Sequence, residues 1–190
     1  EERADAMLVA NLRAVRTQLL DAGLRENIEV CHSLLARLIF TQFLFQRRDR
    51  DGHPAINQKI LQGRFDGALK QTYEHSTALQ QILRDKAETY ALFKWLNEKF
   101  NGDLFTGKGR TEAERDREWR EETRVVTQPQ LDILARFVAG ETNLATGQAS
   151  LWPEYSFDTL PLEFISSVYE EFLNESPKKN STYYTPSHLV

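Results

Sequence analysis

Three stretches of this chain concentrate side chains able to act on a ligand. Gln46-Arg47-Arg48-Asp49-Arg50 sets three guanidinium groups close together, and forked donors of this kind bind phosphate. Arg110, Arg115, Arg117, Arg120 and Arg124 form a second set, interleaved with Glu112, Glu114, Asp116, Glu118, Glu121 and Glu122. Tyr183-Tyr184-Thr185-Pro186 is the third. There Pro186 fixes the chain and pushes Thr185 toward an extended state, which sets a hydroxyl and backbone groups beside two flat rings with polar tips. Each stretch also has a plainer reading. Positive charge at 47–50 suits the C-terminus of a helix, the 110–124 set reads as a solvated face, and the tyrosines can belong to a linker packed on the preceding helix.

Enzyme chemistry of several kinds is excluded by inspection. A PD-(D/E)xK nuclease needs an acidic residue two before a lysine, and none of the eight lysines has one. His32, His53, His75 and His188 are far apart, without the pairing of a metal site. No Gly-x-x-x-x-Gly-Lys loop is present. Gly107-Lys108-Gly109 lies amid charge with no strand before it, and reads as a flexible loop. No serine or cysteine nucleophile motif occurs. The single cysteine, Cys31, lies in an apolar run and reads as a small buried hydrophobe.

The elements that must position these groups are helices. Leu8, Leu12, Val15 and Leu19 recur at steps of three and four and give the first helix one apolar face. Gly23 ends it, because glycine takes the left-handed conformation after a last turn. A second helix runs from about Glu26 to Arg48 and is apolar all round, the mark of a bundle centre. Each large side chain buried there contributes roughly 1.5–3 kcal/mol, so Leu38→Asp is expected to unfold the domain. Asp51-Gly52-His53-Pro54 is a turn. Helical pieces are expected over Ala68–Leu83 and Lys86–Phe100, with Asn101–Phe105 capping the latter. Thr111–Arg124 reads as a solvated helix or mobile excursion whose one large apolar group is Trp119. Gln128–Ala139 is helical, with Gly140 as terminator. Residues 141–160 read as an extended aromatic segment lying across the bundle. Pro161 then opens a last helix, where its missing amide proton is harmless. Strand signals are weak, so the expected fold class is mainly α, a multi-helix bundle with an irregular aromatic segment and a C-terminal linker.

Composition sets the remaining bounds. Of 190 residues, 41% are apolar and 27% charged, a globular profile. The formal net charge of −4 is not that of a self-sufficient nucleic-acid binder, so contact with phosphates must be local. One cysteine allows no internal disulfide and favours a reducing, cytoplasmic setting. Val30–Phe45 is the most apolar run, but it contains His32, Arg37 and Gln42 and is shorter than the ~20 residues that span a bilayer. It reads as a core helix, with no membrane as partner.

The end of the chain looks like the opening of a further domain. A polar, basic stretch from Ser176 to Thr182 leads into Tyr183-Tyr184-Thr185-Pro186, and a new apolar run begins at Leu189-Val190. The expected division is a helical connector over residues 1–175, then a linker and the start of a missing domain over 176–190.

Three segments, taken in order, resemble a known family: Leu96-Asn97-Glu98-Lys99-Phe100-Asn101-Gly102-Asp103-Leu104-Phe105; Leu151-Trp152-Pro153-Glu154-Tyr155-Ser156-Phe157 with the helix from Leu160-Pro161-Leu162 to Leu173; and Tyr183-Tyr184-Thr185-Pro186. They resemble the large adenine-specific DNA methyltransferases of bacterial restriction–modification and phage-defence systems, notably the type IIG enzymes that fuse methylation with cleavage. Leu34-Leu35-Ala36-Arg37-Leu38-Ile39-Phe40 fits as well. The resemblance implies that a Rossmann-like domain follows, binds S-adenosylmethionine, and methylates the exocyclic amino group of an adenine flipped out of double-stranded DNA. It also implies that Tyr183, Tyr184, Thr185 and Pro186 sit beside the methionine part of that cofactor. Ser181 stands where the family often has glycine, which leaves the loop less free to approach a ligand. The glycine-rich cofactor loop and the Asn/Asp-Pro-Pro-aromatic motif of the family are not in this chain.

The expected function is therefore a non-catalytic helical part of such a methyltransferase, with Arg47, Arg48 and Arg50 as candidate DNA contacts. The alternative is a helical protein-interaction module with no DNA role, using exposed aromatics such as Trp119 or Trp152.

Overall fold

The computed structural model describes residues 2–100 and 109–142, together with residues 167 and 170, which are helical. Within them the fold is mainly α, with no strand; an isolated antiparallel bridge joins Arg48 and Pro54. The helices are α1 (Glu2–Leu19), α2 (Ile28–Gln46), α3 (Gln58–Gln62), α4 (Ala78–Leu83), α5 (Lys86–Phe100), α6 (Glu112–Val125) and α7 (Gln128–Val138).

α2 is the axis of the bundle. Twelve of its nineteen residues are buried, spread round its whole circumference, which is why its hydrophobic pattern has so little directionality. Leu34, Leu35, Leu38, Phe43, Leu44 and Phe45 are all in the core. α1 lays Leu8, Leu12, Val15 and Leu19 into the same core and packs on α2 and α7. α7 also packs on α4, and α4 on α5.

Leu8–Gln46 contains a window long and apolar enough to cross a membrane by length and composition, but two thirds of that window is buried inside the fold. A break divides the stretch into two helices. α1 loosens into a wider turn over Leu20–Leu24, where Gly23 takes φ 116°, a conformation that suits glycine. Gln130 holds this turn from across the bundle. Its Nε2 donates to Ala22 O at 3.1 Å, while its Oε1 accepts from the Thr127 N–H at 3.0 Å at the head of α7. Gly140, at φ 76°, ends α7 as its position in the sequence indicates.

The helix expected over Ala68–Leu83 exists only as α4; residues before Ala78 follow a different path. Arg64, Phe65 and Asp66 take φ of 50°, 52° and 57°, followed by Gly67 at 83°. Each non-glycine residue there costs about 1–2 kcal/mol. Phe65 is fully buried and meets Trp95 edge-on, centroids 5.1 Å apart. Asp66 accepts from Trp95 Nε1 at 3.0 Å and pairs with Lys99 at 2.9 Å. These contacts, all to α5, offset the strain. Beyond the turn, the Lys70 N–H donates to the carboxylate of buried Glu88, and Tyr73 Oη donates to the same carboxylate at 2.8 Å. The backbone here is thus anchored to α5 instead of building its own helical ladder.

α5 occupies the range expected for it and begins where Asp85 Oδ1 accepts from the Glu88 N–H at 3.0 Å. α6 opens with a reciprocal cap: the Thr111 hydroxyl accepts from the Glu114 N–H, and the Glu114 carboxylate from the Thr111 N–H. The capping segment at 101–105, residues 107 and 108, the aromatic segment from residue 143 onward, the last helix apart from residues 167 and 170, and the linker lie outside the described residues.

Candidate nucleic-acid interface

α2 ends at Gln46 because the chain turns outward at Arg47, whose ψ is 126°. Arg47, Arg48 and Arg50 are all exposed. They do not form one convergent site. The Arg47 guanidinium lies over the Phe43 ring, 5.2 Å from its centroid, so its stem covers the end of the core. The Arg48 Nη1 donates to Gly52 O at 2.8 Å and helps close the small loop that the sequence marks as a turn. Asp49 shapes the same loop, its Oδ1 accepting from the N–H groups of His53 at 2.8 Å and Asp51 at 2.9 Å. Those bonds, the His53 one foremost, hold the Asp49 carboxyl below its ordinary pKa. Arg47 and Arg50 therefore stay at the surface, while Arg48 has a structural duty.

Asp49, Asp51 and His53 bring ligand atoms within 4.8 Å of one another. All three are exposed, and the Asp49 oxygen nearest the loop already serves two backbone donors. The cluster is explained by the turn.

The second arginine set is dispersed. Arg115 Nη1 donates to Gly109 O at 3.1 Å, packing the loop onto the head of α6, and Arg117 pairs loosely with Glu121 at 3.8 Å. Arg110, Arg120 and Arg124 are exposed. Interleaved acids give this surface both signs of charge.

Where the sequence suggests only a solvated face, α6 instead docks into the core. Trp119 is buried, which removes it from the aromatics available to an outside partner. Glu122 is buried one turn further on and meets Arg37 of α2 in a forked ion pair, one arm of which is Nη2 to Oε2 at 3.0 Å. Tyr90 of α5 donates to Glu122 Oε1 at 3.0 Å. The Arg37 side chain is 1% exposed and lies against the rings of Phe93 and Trp119, 5.2 and 5.7 Å from their centroids. Burial and the adjacent Glu122 carboxylate push the Tyr90 hydroxyl far above the ordinary range. Sequence reading missed this site. The available signal was an arginine in the middle of an otherwise apolar helix: such a charge needs a partner.

A second polar contact, buried on its His32 side, joins α1 to α2. Arg16 Nε donates to His32 Nε2 at 2.9 Å, and His32 is 2% exposed. Burial first, and the Arg16 charge second, lower the His32 pKa to about 4. Next to it Cys31 is fully buried, its thiol pushed up to about 12 by burial, as expected of an inert core cysteine. On α1, Asn11 Nδ2 is buried with no hydrogen-bond partner among the described residues.

Tyr183, Tyr184, Thr185 and Pro186, the residues implied to meet S-adenosylmethionine, lie outside the described residues, as does Trp152. What the fold and surface define is a class: a mainly α bundle, tied internally by buried polar pairs, with a basic loop at the end of its central helix. No protein-family model, no curated protein and no solved structure matches this chain.

Proposed function

We propose that this chain is the non-catalytic helical part of a bacterial adenine-specific DNA methyltransferase of the restriction–modification or phage-defence class. The observation that carries the reading is the order of three sequence segments: Leu96–Phe105, Leu151–Leu173 and Tyr183-Tyr184-Thr185-Pro186. In this reading the chain leads into a domain that binds S-adenosylmethionine, with Tyr183–Pro186 at its edge. The helical body serves as a connector to that domain in the cytoplasm. Duplex DNA is the partner of the whole protein, and the exposed Arg47 and Arg50 add a small electrostatic contribution to its binding.

The arrangement of the helical body supports a connector over an enzyme. Its most convergent polar groups, Arg37, Glu122 and Tyr90, are enclosed by Phe93 and Trp119 and bonded to one another. A catalytic acid or base must instead reach a substrate proton within hydrogen-bond distance. The interaction-module alternative loses its nearest aromatic, since Trp119 is in the core.

The reading frame that carries this segment tests the proposal. It is expected to encode an Asn/Asp-Pro-Pro-aromatic motif within a few hundred residues downstream; a frame without one overturns the assignment. The 190-residue chain by itself is expected to transfer no methyl group from labelled S-adenosylmethionine to DNA. Robust incorporation would show that it is an enzyme in its own right.

A further inference from the structure

A cavity of about 200 Å³ opens where the last turn of α2 faces the start of α4 and the end of α7. We propose that it binds the base of a purine nucleotide. Gln42, Gln46 and Gln80 line it with three carboxamides, and His75, Phe45 and Leu79 supply ring and apolar wall. The side-chain amides of Gln42 and Gln80 have no hydrogen-bond partner among the described residues, and both residues are half-buried. Each offers a donor and an acceptor in one plane. That pairing matches the adjacent donor and acceptor on the exocyclic-amino edge of adenine, where Gln is a favoured bidentate partner. His75 is fixed by a 3.0 Å contact between its Nε2 and Ile56 O, and by an edge-on packing against Phe45, centroids 5.6 Å apart. Its ring therefore stands as a preset wall.

Charge and size narrow the ligand. Among the described residues no carboxylate or guanidinium lines the cavity, so the inserted group is uncharged. Exposed Arg47 follows the lining residue Gln46 directly in sequence, so the chain leaving the cavity wall carries positive charge. The volume is below the roughly 300 Å³ at which drug-sized pockets begin, which suits one base and not a longer extended ligand. This inference does not rest on the methyltransferase reading and stands or falls separately from it.

The test is a titration of the full 190-residue chain, isotope-labelled, with adenosine monophosphate, cytidine monophosphate and ribose 5-phosphate at millimolar concentrations. The side-chain amide resonances of Gln42, Gln46 and Gln80 are expected to shift saturably with adenosine monophosphate and to stay in place with ribose 5-phosphate. Gln80→Glu keeps the shape of the side chain but removes its amide donor, and is expected to weaken adenosine monophosphate about tenfold; Gln42→Leu is expected to do the same with an unchanged unfolding midpoint. Equal shifts with ribose 5-phosphate, no response to adenosine monophosphate, or equal affinity for cytidine monophosphate would each overturn the assignment. None of these readouts involves duplex DNA or methyl transfer.

Discussion

Two sets of polar groups on α2 and the loop that follows it have opposite fates. Arg37 and His32 are buried in the middle of the bundle, each with a partner from another helix. Arg47 and Arg50, less than four helical turns of sequence beyond Arg37, face water. The guanidinium of Arg37 is chemically identical to those of Arg47 and Arg50, but its consequences are not. A buried arginine that loses its carboxylate leaves a charge in a medium that cannot solvate it. An exposed one leaves almost no trace in stability. The charge that holds the fold together and the charge available to a partner are thus kept apart along one stretch of chain.

The largest expected effect tests the inner set. Glu122→Ala should destabilise the protein by about 3–5 kcal/mol, because Arg37 stays buried without its counter-charge. Urea unfolding checks this. Arg37→Met combined with Glu122→Leu should be far milder than Glu122→Ala alone. A loss under about 1 kcal/mol for Glu122→Ala, within the range of surface pairs, would place the pair with the outer set. Tyr90→Phe removes one hydrogen bond to the same carboxylate, and should cost about 1.5–3 kcal/mol.

His32 sharpens the comparison through pH. Its folded pKa, about 4, is lower than its ordinary value of 6.5, so the unfolded chain binds the proton more readily. Stability from this group is fully present above about pH 6.5. It falls as pH drops through the window from 6.5 to 4, by on the order of 3 kcal/mol, and then levels off. His32→Gln should flatten that part of the stability–pH curve measured by thermal or urea unfolding. A slope that survives the substitution would assign it to other groups.

Asn11 has a buried amide without a partner among the described residues, and its replacement should have the opposite sign. Asn11→Leu is expected to raise stability by about 1 kcal/mol, since it removes an unsatisfied buried amide. A fall in the urea midpoint would mean that Asn11 is partnered in solution. The smallest stability effect belongs outside. Arg47→Ala with Arg50→Ala should shift unfolding by less than about 1 kcal/mol, the part lost being the Arg47 contact over the Phe43 ring. The same pair of changes should lower the salt dependence of weak duplex binding, by about one unit of slope for each phosphate no longer neutralised. An unchanged slope would leave these arginines without a role at DNA.

Much of the framework was legible from pattern. α1, α2, α5 and α7 were visible because their apolar positions recur at helical spacing over two or more turns, and Gly23 and Gly140 mark ends that glycine favours. The five-residue α3 gave too short a pattern to see. The turn at Arg64–Gly67 was hidden because its backbone is unfavourable locally and is held by Trp95 and Lys99, some thirty residues on. α6 was read as a solvated helix or a mobile excursion from its dense mixed charge; that it is a capped helix docked into the core was not legible. Trp119 and Glu122 sit in a run dominated by charge, and nothing local distinguishes Glu122 from the exposed Glu121 beside it.

Local pattern was enough for the helical class, the central place of α2, the turn after it and the inertness of Cys31, since periodicity, apolar density and turn chemistry act over a few residues. Only packing in three dimensions brings Arg37 to Glu122 across 85 positions, makes Trp119 a core residue, and gathers Gln42, Gln46 and Gln80 round one cavity. The physical reason is that the value of a charge or an amide depends on whether water or another side chain surrounds it, and that is set when distant helices meet.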